Sequence, residues 1–522
     1  MAEKEKNEIE NESFDEKSDE KKLPNELLSK MISLRQDVYE EGMAFYKKRV
    51  EDIEIKEFEN SAKNLSFYLA LRRRDLREIQ SELSVWGLSS LGRLESRTMS
   101  TIDSVISSLG KITNTDVSPI EYPPKKSFTA GRRQLEKNAE LLFGKRPENR
   151  NTSIMVTMPQ EAAKDYKFVA DLMKNGMNVA RINCAHDDTE VWEKIIKNIR
   201  KAEKELDRTC KVLMDISGPK ARISWVFSST SNDKIKPKDY ILITGREKIK
   251  ANSQSVANTI IGCSLPEILN ELEVGDPVLI DDGVLEAEIK EIDENGVLIR
   301  VNKTQQPNGI RLRVDKGLNF PHSDIKMDIV TEKDKKDLDF ICEHADIAGC
   351  SFVKNAKDIK LFLKEIHERK KGESDAIPIL IKVETILGIR NLSEIIMVSA
   401  GKHPVGVMIA RGDLAVESGY LRLAELQQEI LWICEAADVP VVWATQVLEN
   451  MVKTGIPTRA EVTDVSEGAA RAECVMLNKG EYITDAVCFL DSLLEKMKSN
   501  QYKKTSKLRA LNIAKDIDAD HC

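Results

Sequence analysis

An α/β chain built as a (β/α)8 barrel of the TIM type, with a small β-barrel domain inserted as a lid and an α-helical extension at its N-terminus, is predicted by three observations. Eight short apolar runs recur after Asn151: SIMVT, NVARINCA, CKVLMDI, DIAGCSFV, IPILIKVE, VGVMIAR, VPVVWATQ and AECVMLN. Amphipathic helical patterns separate most of them, for instance Glu161 to Lys174, Thr189 to Leu206, Ala356 to Lys370 and Leu421 to Ala437, which is the rhythm of a parallel barrel whose sites lie where strands end. One interval breaks that rhythm. Between the third and fourth runs, Ser224 to Phe320 alternates with period two in DYILITG, DPVLIDDGVLEAEI and GVLIRV, punctuated by the turn signals GREK, DENG and EVGD. An all-β insertion at the strand-end face suits a movable lid. Finally, apolar residues three and four apart from about Asn25 to Leu109 give a helical extension, broken by a turn at VWGLSSLGR, Val85 to Arg93.

In order along the chain, residues 1–22 are charged or polar without apolar period, the mark of a solvated, disordered tail. Residues 23–135 form the helical extension, closed by an irregular linker around VSPIEYPPKK; 136–223 begin the barrel, 224–320 are the lid, 321–498 complete the barrel, and 499–522 are a basic tail. The run LRRRDLR, Leu71 to Arg77, could reach a polyanion, but Asp75, Glu78 and Glu82 stand at helical spacing to pair with it.

Composition narrows the function. A chain of 522 residues with 41% hydrophobic content supports two or three domains. A net charge of −8 argues against broad nucleic-acid binding, and no apolar run has the length of a membrane span. With no signal-peptide core in MAEKEKNEIENES, the expected location is cytoplasmic. Nine scattered cysteines without a CxxC pair read as reduced, mostly buried thiols.

The chemistry centres on two strands, Ile379 to Glu384 and Val405 to Arg411. Lys382 and Glu384 leave the first on one face, and Asp413 follows the second. A lysine and two carboxylates at the mouths of parallel strands can hold a divalent cation and a developing negative charge together, which is phosphoryl or enolate chemistry. An ordinary ion-pair network at a barrel rim is the bland alternative.

A barrel with a β-domain after its third strand, carrying NVARINCAH, DISGPKAR, IDDG, KGLNFP, SFVK, IKVETILGIRN, MIARGDLAVE, ATQVLENM and PTRAEVTDV in that order, resembles the pyruvate kinase family over roughly Ser153 to Leu494. It looks like a divergent bacterial branch with a long helical N-terminus and without the family's C-terminal regulatory domain. The resemblance implies transfer of the phosphoryl group of phosphoenolpyruvate to a nucleoside diphosphate, giving pyruvate and ATP. By that resemblance Lys382 touches the transferred group, Glu384 and Asp413 hold Mg2+ or Mn2+, and Arg181 clamps the phosphate with Arg222 in support. Thr445 lies near the substrate carboxylate and the proton delivered to the enolate, Gly412 and Asp413 offer backbone amides to that carboxylate, and Ser351, Lys354 and Lys333 fill phosphate-facing positions. Asn183, His186 and Lys333 are expected on the nucleotide side. Asp282, in the IDDG turn, reaches the site from the lid; a plain hairpin turn is the alternative.

Lys220 stands where potassium-dependent members carry glutamate, and its ammonium can replace the ion. Ala185 and Ile216 also replace hydroxyl residues, so no potassium requirement is expected. Ser217 replaces a lysine, VTMP at Val156 to Pro159 lacks a glycine, and Asn478 replaces a serine, so the nucleotide side departs more from the pattern than the metal side. Two other readings fit the residues: a metal-dependent lyase or mutase on a 2-oxo acid, and a non-catalytic sensor or scaffold that binds metal and phosphoenolpyruvate. A homo-oligomer and an unidentified partner for the N-terminal helices complete the expectations.

Overall fold

The computed structural model describes residues 2–229, 234–246, 257–306, 308–321, 323, 326–370 and 376–508, with the backbone alone over 2–22. Eight parallel strands close into a barrel: Ser153–Thr157, Val179–Asn183, Lys211–Asp215, Ile347–Cys350, Ile379–Val383, Val405–Ala410, Val441–Ala444 and Cys474–Leu477. Each pairs with its neighbours in sequence, and the first meets the eighth through Ser153 opposite Cys474. These are the eight apolar runs of the sequence. Their β-branched and aliphatic side chains are buried on both faces, as a sheet covered by helices outside and packed on itself inside requires. The interior is filled by Met155, Val179, Leu213, Leu380, Met408 and Val442 among others.

The floor of that interior is not made by the barrel. Helix Ala130–Phe143 ends against it with Leu142 and Phe143, both buried in the same cluster. Gly406 gives Leu142 its room, because a Cβ there would come within 2.5 Å of Leu142 Cδ2. This helix crosses the limit at residue 135 drawn from the sequence, where PP and KK suggested irregular chain; Leu135 is already buried.

Residues 223–319 carry a seven-stranded sheet, from Ile223–Ser228 through Tyr240–Thr244, Thr259–Cys263, Pro277–Ile280, Leu285–Asp293 and Gly296–Thr304 to Leu318–Asn319. Its two edges meet through a single bridge between Arg222 and Gly317, which brings the sheet close to a barrel. It has its own core, with Ile241, Val278, Ile289 and Ile299 buried. Two chain crossings join it to the main barrel.

The N-terminal helix spans Ala2–Lys47 and so includes residues 2–22, for which the sequence suggested a disordered tail. Glu and Lys are good helix formers, and the charged segment continues a helix whose later turns are anchored. From Leu27 onward Met31, Leu34 and Val38 face helices Glu59–Arg72 and Thr98–Thr113, at the three- and four-residue spacing of the sequence. The extension is tied to the barrel by Arg49 to Glu394 at 2.6 Å, Ser61 to Asp438 at 2.7 Å, and Asn64 to the Ala436 carbonyl at 2.8 Å. In LRRRDLR, Arg77 pairs with Asp75 as expected. Arg73 and Arg74 instead reach Glu41 on the first helix, and Glu78 and Glu82 face Lys30. Packing between helices overrides neighbours along one.

The basic tail begins as a hairpin, Gln501–Tyr502 with Thr505–Ser506; Lys503 is buried on Glu473, and Lys504 meets Glu95. Residues 509–522 lie outside the described residues. Of the described cysteines, only Cys488 is exposed and none forms a disulfide. Among the described residues no helix is long and apolar enough to cross a membrane.

Candidate active site

Charged side chains converge where the barrel strands end. Thr157 closes the first strand, Arg181 lies near the end of the second, and Asp215 closes the third. Ser351 follows the fourth, Lys382 and Glu384 end the fifth, Asp413 sits in helix Arg411–Ser418 after the sixth, and Thr445 follows the seventh. Alternation along the strands points these residues to one mouth.

Asp215 is the hub, and sequence reasoning did not single it out. Arg181 donates to it twice, from Nε at 3.0 Å and Nη2 at 2.8 Å, and donates to the Thr157 hydroxyl at 3.1 Å. Lys382 Nζ lies 3.3 Å from Asp215, 3.0 Å from Glu384 Oε1 and 2.9 Å from the Ser351 hydroxyl. Ser351 in turn donates to the Ile216 carbonyl. All of these groups are buried or nearly so. Burial would push the Asp215 carboxyl up, but Arg181 and Lys382 outweigh it and hold it below the usual range. Burial also opposes the Lys382 ammonium; Glu384 and Asp215 reverse that, so it stays charged. The one signal for Asp215 in the sequence was an acid ending an otherwise apolar strand, CKVLMD.

Glu384 has its Oε2 held by the Phe352 amide at 2.6 Å. Burial raises its proton affinity, and Asp413 adds to this against Lys382. Asp413 accepts from Lys220 Nζ at 2.6 Å, so the expected cation substitute sits directly on a proposed metal ligand. Asp282 arrives from the lid turn with a left-handed backbone at φ 54°. Burial pushes its carboxyl up, with Lys220 working against this and Asp413 with it, which places the lid turn within electrostatic reach of the barrel carboxylates. Gly412 packs on Thr445, whose methyl would lie 2.7 Å from an added Cβ. Thr445 has φ 70°, and its carbonyl accepts from Arg411, which also pairs at two points with Asp464. Backbone strain at Thr445 is thus held by a guanidinium anchored on the next loop.

The other expected residues lie further out. Asn183 accepts the Ala185 amide, and His186, exposed at the surface, is held below its ordinary pKa by partial desolvation and then by Lys479 and Arg222. Lys333 is committed to the Cys184 carbonyl at 2.7 Å and Asp337 at 2.6 Å, over the Trp192 ring. The structure does not bring Lys333 to the Lys382 hub. Lys354 donates its amide to Asp358 and lines a cavity beside the site with Glu417. Sequence reasoning missed Glu417, whose carboxyl burial pushes up to about 7.

Among the described residues no three His, Cys, Asp or Glu side chains cluster as a complete metal cage. Asp413 nevertheless adds to the electrostatic cost of charging Glu384, and the oxygens of both are hard donors, a fit for a hard divalent cation completed by ligand oxygens.

Residues 149–487 match the family model described as pyruvate kinase, barrel domain. The chain is 31% identical over 348 residues to pyruvate kinase of Kluyveromyces lactis, covering 65% of each protein. It is 30% identical over 367 residues to pyruvate kinase 1 of Trypanosoma brucei brucei, covering 68% of this chain and 69% of that one. The matched part is therefore about two thirds of these relatives' length. A solved structure of a pyruvate kinase from Cryptosporidium parvum superimposes with a TM-score of 0.59 at 29% identity, over 69% of this chain and 72% of the other.

Proposed function

The chain belongs to the pyruvate kinase family, and from that premise we propose that it is a phosphotransferase of that type, moving the phosphoryl group of phosphoenolpyruvate to a nucleoside diphosphate in the cytoplasm. The observation that carries this reading is the Lys382 ammonium, buried and aimed by Asp215, Glu384 and Ser351. A fixed, desolvated cation stabilises charge that develops on a transferring phosphoryl group without reorganisation. Arg181, oriented by Asp215 and Thr157, offers a second cation of defined direction. Glu384 and Asp413 would hold Mg2+ or Mn2+, which supplies charge neutralisation for phosphate and enolate oxygens. Thr445, held by Arg411, stands beside Gly412 where the substrate carboxylate and the protonated carbon would lie.

A second reading has one observation in its favour. Lys220 already neutralises Asp413, as suits a protein that binds the anion without turning it over. A coupled assay with phosphoenolpyruvate, Mg2+ and several nucleoside diphosphates separates the two. Pyruvate formation supports transfer; metal-dependent phosphoenolpyruvate binding with no pyruvate rejects it in favour of a sensor.

A further inference from the structure

Lid and barrel enclose a cavity of about 620 Å³ beside the carboxylate site. Lys220 lines it, whereas Lys382, Glu384 and Asp413 do not. Its volume is that of a small-molecule pocket. Four cations line it, Lys354, Arg390, Arg422 and Lys220, the last committed to Asp413, against one acid, Glu417. Burial pushes the Glu417 carboxyl up to about 7, so part of its population is protonated at neutral pH. Leu318, Phe320, Met327 and Leu387 supply apolar wall. Asn319 also lines the cavity; it is nine-tenths buried, and its Oδ1 has no hydrogen-bond partner among the described residues. A buried acceptor left unmade costs free energy that a donor on a ligand would recover.

We propose that this cavity is a second ligand site, for an organic anion with an apolar body and an N–H or O–H donor, and that its occupant acts across the hinge of the lid. The anion meets the basic wall, the apolar body meets Leu318, Phe320 and Leu387, and the donor satisfies Asn319. The position gives the site its consequence. Pro219 to Ala221 carry the chain from barrel to lid, and Leu318 to Pro321 bring it back; both crossings form wall, together with the barrel rim at Thr385 to Leu387. A ligand touching both crossings and the rim favours the lid position in which all three contacts are made.

The probe is 1-anilinonaphthalene-8-sulfonate, which combines a sulfonate, an apolar body and an N–H donor. Titrated into the full chain and followed by fluorescence, it should saturate at one site per chain. The double variant Arg390→Ala/Arg422→Ala, at two exposed positions, should weaken binding by about tenfold or more with an unchanged thermal transition. Leu387→Trp, which fills the cavity from its rim, should abolish saturable binding. The neutral analogue N-phenyl-1-naphthylamine should bind more weakly than the sulfonate. Wild-type affinity in the double variant, or equal affinity for the neutral analogue, overturns the proposal. The measurement needs no turnover, so a chain inactive on phosphoenolpyruvate leaves its result intact.

Discussion

Arg181 and Asp215 form a two-point ion pair with almost no solvent exposure, and Asp215 shares its second oxygen with Lys382 at 3.3 Å. One carboxylate therefore sets the direction of two cations at the mouth of the barrel. Removing its charge would leave two buried cations short of a counter-ion, which is costlier than the pair is worth.

Asp215→Asn should accordingly destabilise the chain by about 3–5 kcal/mol and abolish phosphoenolpyruvate turnover together. Urea denaturation followed by circular dichroism measures the first. A stable variant with full activity would show that Asp215 does not orient the two cations.

Lys382→Met keeps the length of the side chain and removes the charge. Turnover should fall by roughly 10²–10³ or more, while binding of phosphoenolpyruvate, read by calorimetry, stays within a few-fold of wild type. Equal losses in binding and turnover would make Lys382 a ground-state anchor instead.

Lys220 holds Asp413 by a charged hydrogen bond. Lys220→Gln should tighten Mg2+ binding by about tenfold, the value of one charge-assisted bond at about 1.5 kcal/mol. The wild type should work equally well when potassium is replaced by tetramethylammonium; strong dependence on potassium would end the role of Lys220 as a stand-in.

Asp438, under the N-terminal helices, has its carboxyl pushed up to about 8, chiefly by burial. Ser61 donates to one oxygen, and the other has no partner among the described residues. The folded chain keeps a proton that the unfolded chain releases near the ordinary value of about 3.9. Stability from this group is full below about pH 4 and falls as pH rises towards 8. Asp438→Asn should flatten that fall and raise Tm at pH 8 by a few degrees, at ~2–4 °C per kcal/mol. A steeper fall in the variant would reverse the assignment.

Much of the fold was legible from residue patterns. A short apolar run located Ser153–Thr157, period-3.6 alternation located Thr189–Leu206, and period-two alternation located the inserted sheet, each within a residue or two of its observed limits. The first turns of helix Ala130–Phe143, up to residue 135, were read as linker because Pro123, Pro124, Lys125 and Lys126 lie just before them. What the helix plugs lies on the barrel floor, far along the chain. The arginines of LRRRDLR were assigned partners on their own helix, and two of them took Glu41 from another.

By itself the sequence determined the barrel, the lid and the charged residues at strand ends, because strand and helix periods are local properties and side-chain direction follows from them. Tertiary structure alone decided the wiring. Arg181, Asp215, Ser351 and Lys382 share no local signal; they meet because the second, third, fourth and fifth strands are neighbours in a closed ring. Lys220 and Asp413, 193 residues apart, meet because the lid linker, leaving the third strand, carries Lys220 to the helix that follows the sixth. The hinge cavity exists only between two units folded from different periods, and no stretch of chain encodes the space between them.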